Sequence, residues 1–247
     1  MRKTLVAANW KMNGSLQANQ TWCEGVLPAL QTLDAEVLLC APFVYLPQLV
    51  RAAQGTALMI GAENVSSERN GAFTGEISAS MLFDIGVQWC IIGHSERRSL
   101  YGEPDAMVAQ KAQRLVEAGL RPVLCVGETL AQRENGETLS VVTQQLQAVL
   151  SVIAPSALGA IAYEPVWAIG TGLTATPDAA QAVHKALRDE VAKYDASTAQ
   201  TLRILYGGSV KPNNAQALFA EHDIDGGLLG GASLTAEDFL AVCQSHV

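Results

Sequence analysis

Eight times along this chain a short apolar run is followed by a stretch rich in Ala, Gln and Leu. The apolar runs cover residues 4–10, 36–41, 57–62, 88–93, 122–127, 159–164, 202–206 and 226–229. They are apolar almost without interruption, the pattern of parallel strands covered on both faces. The stretches 16–31, 45–54, 78–85, 105–118, 137–152, 178–194, 212–220 and 235–244 read as helices. Some carry boundary signals. Thr176-Pro177-Asp178 sets a capping hydroxyl before a first-turn proline and an acid, and Thr235 precedes Glu237 and Asp238 in a similar way. Gly119 stands where a helix ends in the left-handed conformation. Eight β/α units in 247 residues predict an α/β fold closed into a single (β/α)8 barrel domain, residues 1–247. A doubly wound open sheet is the alternative. It has fewer strands and a glycine-rich turn after the first, whereas here no glycine follows the first run until Gly14.

Composition bounds the function. A formal net charge of −8 gives no electrostatic reason to bind nucleic acid or an anionic membrane. It does not exclude an anionic substrate, because backbone N–H groups and one lysine can supply a local field. The cysteines at 23, 40, 90, 125 and 243 are odd in number and have no C-x-x-C spacing. They read as reduced thiols of a cytoplasmic protein rather than a disulfide framework. Arg2 and Lys3 before Leu5–Ala8 make too short an apolar run for a signal peptide, with polar Asn9 and Lys11 directly behind. No stretch reaches the roughly 20 apolar residues of a membrane span.

In a barrel of this kind the active site lies at the carboxyl ends of the strands. The first strand delivers Asn9 and Lys11 there, the fourth His94 and Glu96, the fifth Glu128 and the sixth Glu164. The seventh delivers Gly207, Gly208 and Ser209, the eighth Gly230 and Gly231. Glu164 follows the apolar Ile161-Ala162-Tyr163, and burial there is expected to raise its pKa toward that of a general base. A helix N-terminus after His94 would keep its imidazole neutral, able to donate a hydrogen bond to a carbonyl oxygen. Lys11 can serve as an electrostatic anchor or as a Schiff-base nucleophile. The glycine turns after strands seven and eight occupy the habitual phosphate position of barrel enzymes. Taken singly, each of these residue types is more often structural. No His/Cys spacing points to a metal. The loop from Pro165 to Ala175 suggests a water-excluding lid between stiff or compact hinges. Its G-x-G-x-x-A pattern is not a dinucleotide fingerprint, since it does not sit in a strand-to-helix turn.

Five segments together, Asn9–Gly14, Gly93–Arg98, Ala162–Gly172, Tyr206–Ser209 and Leu229–Ser233, resemble the triosephosphate isomerase family in order and spacing over essentially the whole chain. The resemblance implies the (β/α)8, or TIM, barrel. It also implies interconversion of dihydroxyacetone phosphate and glyceraldehyde 3-phosphate, within glycolysis and gluconeogenesis, with no cofactor and no metal. By the family's pattern Glu164 moves the carbon-bound proton and His94 polarises the carbonyl. Lys11 offsets the negative charge with Glu96 as its partner, and Asn9 orients the oxygen end. The family is itself the usual example of a histidine held neutral for this purpose. The resemblance assigns phosphate to N–H groups around Gly170, Ser209, Gly230 and Gly231. It assigns Trp167 to Glu128 when the lid is open, and the loop near Gly172 and Ala175 to Tyr206 and Ser209 when it is shut. It further implies a homodimer through the loop from Asn64 to Glu76, with Thr74 reaching toward the partner. Two positions depart from the pattern: Glu63, where most members have Gln, and Leu173, where many have Lys. A Schiff-base aldolase using Lys11, or a catalytically silent barrel, are the rival readings.

Overall fold

The computed structural model describes residues 2–169 and 174–245. Its eight strands are β1 Leu5–Asn9, β2 Glu36–Ala41, β3 Leu58–Ala62, β4 Trp89–Ile92, β5 Arg121–Val126, β6 Ala160–Tyr163, β7 Arg203–Tyr206 and β8 Gly226–Leu229. All pair in parallel in chain order. β8 returns to β1 with Leu5 opposite Gly226 and Ala8 opposite Leu229, which closes the barrel. The fold is therefore the (β/α)8 TIM barrel.

Alternation along each strand divides the apolar residues between two layers. Leu5 and Ala7 of β1, Leu38 and Cys40 of β2, and Val123 and Cys125 of β5 fill the barrel interior with Trp89, Ile91, Ala160, Ala162, Leu205 and Leu228. Their neighbours, such as Val6, Ala8, Val37 and Leu39, face outward into a second core against the helices. Two-sided burial is why the strands read as unbroken apolar runs.

The helices are α1 Leu16–Val26, α2 Leu46–Ala53, α3 Ala79–Asp84, α4 Ser95–Leu100, α5 Asp105–Glu117, α6 Leu130–Glu134, α7 Thr138–Leu150, α8 Pro177–Tyr194, α9 Ala196–Thr201, α10 Ala215–Phe219 and α11 Ala236–Cys243. The hydroxyls of Thr176 and Thr235 cap α8 and α11, accepting from the N–H groups of Ala179 and Asp238 at 3.3 Å each. Gly119 follows α5 at a φ of +81°. The sequence expectation of one helix over 16–31 is corrected: α1 stops at Val26 and Leu27–Gln31 form a 3-10 turn. Pro28 has no N–H to continue the ladder there. The short helices α4, α6 and α9 escape a reading based on long apolar periodicity. All five cysteines are buried, and none is in a disulfide. No described helix is long and apolar enough to cross a membrane.

The end of the barrel away from the strand carboxyl termini is held by buried charges that the sequence reading did not single out. Arg188 of α8 bonds Asp223 Oδ1 and Asp225 Oδ2 at 2.6 Å each, and its remaining N–H groups reach the carbonyls of Ala199 and Leu202. Asp225 also accepts from the Ile204 N–H at 2.8 Å and from Arg2. One guanidinium thus ties α8, α9 and the starts of β7 and β8. Breaking a buried ion pair from one side leaves an uncompensated charge, at about 3–5 kcal/mol. Arg188→Met is expected to lower unfolding stability by about that much in denaturant titrations, while Lys185→Met, at an exposed pair with Asp189, is expected to leave it nearly unchanged.

Candidate active site

Closure of the barrel brings β1, β4, β6, β7 and β8 to a common mouth. A cleft of about 380 Å³ there is lined by Asn9, Lys11, His94, Glu96 and Glu164, and by the turns 207–209 and 230–231. Asn9, Lys11, His94, Glu96, Glu164, Ser209, Gly230 and Gly231, all expected at the site from the sequence, lie on this one cleft; Glu128, also expected at the mouth, does not line it, and Gly170 falls outside the described residues. A larger cleft of about 1010 Å³ lies at the opposite end, but its arginines are committed, Arg2 to Asp225 and Arg203 to Glu36.

Lys11 has a φ of +54°, the one positive value at a non-glycine residue among those described. That conformation costs an L-residue about 1–3 kcal/mol and persists only where surrounding contacts hold it. Asn9 Oδ1 accepts from the Lys11 N–H at 3.2 Å, and the Lys11 carbonyl accepts from the Asn13 N–H at 2.9 Å. The bent strand end aims the Lys11 ammonium at Glu96, with Nζ 2.5 Å from Oε1.

His94 is the N-cap of α4, and its Nδ1 accepts from the Glu96 N–H at 3.2 Å. A ring nitrogen that accepts carries no proton, so the imidazole is the neutral tautomer with its proton on Nε2. That Nε2 lies 2.9 Å from Glu164 Oε1, and Glu164 Oε2 accepts from the Ser95 N–H at 2.9 Å. Both side chains are buried.

The expectation for Glu164 is corrected here. Burial raises its pKa, as anticipated, but His94 and the Ser95 N–H stabilise the carboxylate more, and the group stands below its ordinary value. For His94, burial lowers the pKa and the facing carboxylate raises it, and the second effect wins; against this pull toward the imidazolium, the Glu96 N–H aimed at Nδ1 leaves no acceptor for a second ring proton, and on that geometry the ring is taken as neutral. Both shifts depend on the contact between the two side chains.

A chain of contacts runs from this pair to the segment behind Glu164. Gly127 ends the approach of β5, and a Cβ there would fall 1.8 Å from the Glu164 carbonyl oxygen, so no side chain fits. Glu128 is fully buried. Its Oε1 accepts from Tyr163 Oη at 3.1 Å and Trp167 Nε1 at 2.9 Å. The Ala175 N–H meanwhile donates to Tyr206 Oη at 3.2 Å. The resemblance assigned these last two contacts to opposite lid positions; here they coexist. Gly172 and Leu173 lie outside the described residues.

Beside the cleft, Glu63 lines an adjoining hollow of about 390 Å³ shared with Asn9, Lys11, His94 and Glu96. Its Oε1 is buried without a hydrogen-bond partner among the described residues. Burial pushes its pKa up to about 8, against the lowering pull of the Lys11 backbone N–H and ammonium. The sequence reading of the mouth omitted Lys211, which lines it two residues beyond Ser209. Its position directly behind the glycine turn was the available signal.

A closed (β/α)8 barrel that gathers a buried carboxylate, a neutral imidazole and a lysine at its strand carboxyl ends is a barrel enzyme, and the matches to known proteins narrow the class. Residues 4–246 match the family model described as triosephosphate isomerase. The chain is 55% identical to a triosephosphate isomerase of Dechloromonas aromatica and 56% identical to that of Thiobacillus denitrificans, each over 99% of both chains. It is 49% identical to the Hahella chejuensis enzyme of the same name over the full length of both. The chain belongs to the triosephosphate isomerase family.

The coupling between the two central side chains has a measurable consequence. In Glu164→Gln the carboxylate that contributes most to raising His94 is gone, leaving burial and the Lys11 charge to lower it against Glu96. His94 is expected to titrate at lower pH than in the wild type, read from its imidazole resonances by NMR; an equal or higher value would contradict the assigned pairing.

Proposed function

We infer that this protein interconverts dihydroxyacetone phosphate and D-glyceraldehyde 3-phosphate, an aldose–ketose isomerisation of glycolysis and gluconeogenesis. The observation that carries the reading is the convergence of Glu164, His94 and Lys11 on one cleft beside the two glycine turns, in a chain matched by the family nearly end to end.

The geometry supports the following roles. Glu164 is the base: its carboxylate takes the carbon-bound proton, the C–H electron pair forms the C=C bond of the enediolate, and the carbonyl electrons move to oxygen. The hydroxyl proton of the first carbon passes to the other oxygen, the C=C electron pair takes the proton back from Glu164 at the neighbouring carbon, and the first carbon becomes the new carbonyl. His94 supplies the Nε2–H hydrogen bond that polarises the carbonyl. In this structure that donor faces Glu164 itself, so base and electrophile must separate before either acts on substrate. Once Glu164 leaves Ser95 and His94, its stabilising contacts are gone while burial remains, and its basicity rises at the moment it is needed. Lys11, steadied by Glu96, offsets the oxyanion charge, and Asn9 orients that end. Fixed donors of this kind are effective because they need little reorganisation in a water-poor site. The phosphate is held by backbone N–H groups at Ser209, Gly230 and Gly231, together with Gly170. No metal or cofactor has a part in these steps.

The same reading makes the chain one barrel domain over 1–247, acting in the cytoplasm as a homodimer, with a small phosphorylated triose as substrate and neither nucleic acid nor membrane as partner. The loop from Asn64 to Glu76, buried at Val65 and Ser66 and exposed over 68–76 with Thr74 and a half-exposed Phe73, supports a docking segment that reaches a second copy beside Lys11 and His94.

Two experiments test these assignments. Glyceraldehyde 3-phosphate incubated with the protein in D₂O is expected to yield dihydroxyacetone phosphate carrying deuterium at the transferred position. Glu164→Gln is expected to lose about 10²–10⁴-fold or more of that activity; full activity in the variant would remove Glu164 from its role, and borohydride trapping of substrate on Lys11 would favour an aldolase instead. The second concerns Glu63. Its folded pKa of about 8 lies above the value of about 4.3 for a free glutamate, so the folded state binds more protons between the two. The stability it contributes is full below the lower value and is lost as pH rises through about 8. Unfolding stability is expected to fall from about pH 6 to about pH 9 in the wild type and to fall less in Glu63→Gln, measured by denaturant titration; equal profiles would overturn the role of Glu63.

A further inference from the structure

We propose that Lys211 is a specificity-determining residue of the cleft, whose uncommitted ammonium draws a phosphate dianion into a mouth where the other charges offer it no net attraction. The proposal rests on the reading of this cleft as a phosphorylated-substrate site.

The charge balance of the mouth leads to it. Among the described residues, the charged side chains lining the cleft are two carboxylates, Glu96 and Glu164, and two ammonium groups, Lys11 and Lys211, with His94 neutral. Lys11 is bonded to Glu96 at 2.5 Å, so its field toward an incoming anion is largely offset. Glu164 is held in its charged form by His94 and Ser95. Without Lys211 the mouth would carry two carboxylates against one ammonium, in a chain of net charge −8. A dianion would then approach against both the local and the global field.

Lys211 is also placed to act through its charge alone. The chain has six lysines. Lys11, Lys111, Lys185 and Lys193 are ion-paired to Glu96, Glu103, Asp189 and Glu190. The other two, Lys3 and Lys211, make no such pair among the described residues, and Lys3 lies at the opposite end of the barrel. The Lys211 backbone is fixed: its N–H donates to Asn214 Oδ1 at 2.8 Å, and its carbonyl accepts from the N–H groups of Asn214 and Ala215. Val210 before it is buried and Pro212 follows. The turn is thus held by main-chain bonds and by Val210, and the exposed side chain contributes to neither. Substituting that side chain changes the field at the mouth without releasing the turn.

The test is kcat/KM as a function of ionic strength for the wild type, Lys211→Gln, Lys211→Glu and Lys211→Arg. At low salt Lys211→Gln is expected to lower kcat/KM about 3–10-fold, with most of the loss in KM. Lys211→Glu should lose more, and Lys211→Arg should restore the wild-type value. The curves should converge toward about 0.5–1 M salt, where screening lengths fall to a few ångströms. A second readout needs no turnover: inorganic phosphate, titrated by calorimetry, should bind more weakly to Lys211→Gln than to the wild type, with the gap closing in salt. A loss equal at all ionic strengths, a loss shared equally by kcat, or no loss in either readout overturns the proposal. A wild type that fails to isomerise triose phosphates, yet shows the phosphate difference, would overturn the isomerase reading and leave Lys211 in place.

Discussion

The contact on which the rest depends is the pairing of the first strand with the last. Leu5–Ala8 of β1 lie against Gly226–Leu229 of β8, and without that seam the eight strands would form an open sheet with two exposed edges. With it, residues 9–11 from one end of the chain stand beside residues 230–231 from the other. A Cβ at Gly230 would touch Lys11 Cε at 3.6 Å, which shows how closely the two ends meet. The seam also lets one layer of side chains fill the interior while the next faces the helices.

Within the mouth, the central fact is that a carboxylate and an imidazole are bonded to one another. Glu164 and His94 are both buried and 2.9 Å apart, and each holds the other's pKa away from its ordinary value. The backbone N–H groups at the start of α4 decide how the pair is arranged: one donates to His94 Nδ1 and fixes the tautomer, another donates to the Glu164 carboxylate. A helix of six residues, too short to register as a periodic pattern, thus organises the two most important side chains. The strained backbone at Lys11 serves the same end, turning an ammonium into the cleft where an extended strand would carry it past.

Much of this was legible in the sequence. The β/α alternation gave all eight strands to within a residue or two, because burial on both faces leaves an unbroken apolar signature that turns interrupt. Asn9, Lys11, His94, Glu96 and Glu164 could be placed at one mouth for the same reason: each stands at the end of an apolar run, and parallel strands of a barrel all end on one side. The short helices α6 and α9 were not legible, since a helix of five or six residues has too few turns to display a 3.6-residue period; α4 could be anticipated only from the turn that follows His94. Nor was the Arg188–Asp223–Asp225 cluster, whose members come from different β/α units.

The sequence by itself determined the architecture and which residue types reach the site, because both follow from local apolar runs and from their order along the chain. Only the tertiary structure decided the charge states. That burial of Glu164 would be outweighed by His94 and Ser95 is a fact about distances between residues 69 or more positions apart, and that Lys211 makes no ion pair among the described residues, where Lys11, Lys111, Lys185 and Lys193 do, is likewise settled only in three dimensions. Electrostatic interaction depends on those separations and on solvent access, and neither is fixed until the barrel closes.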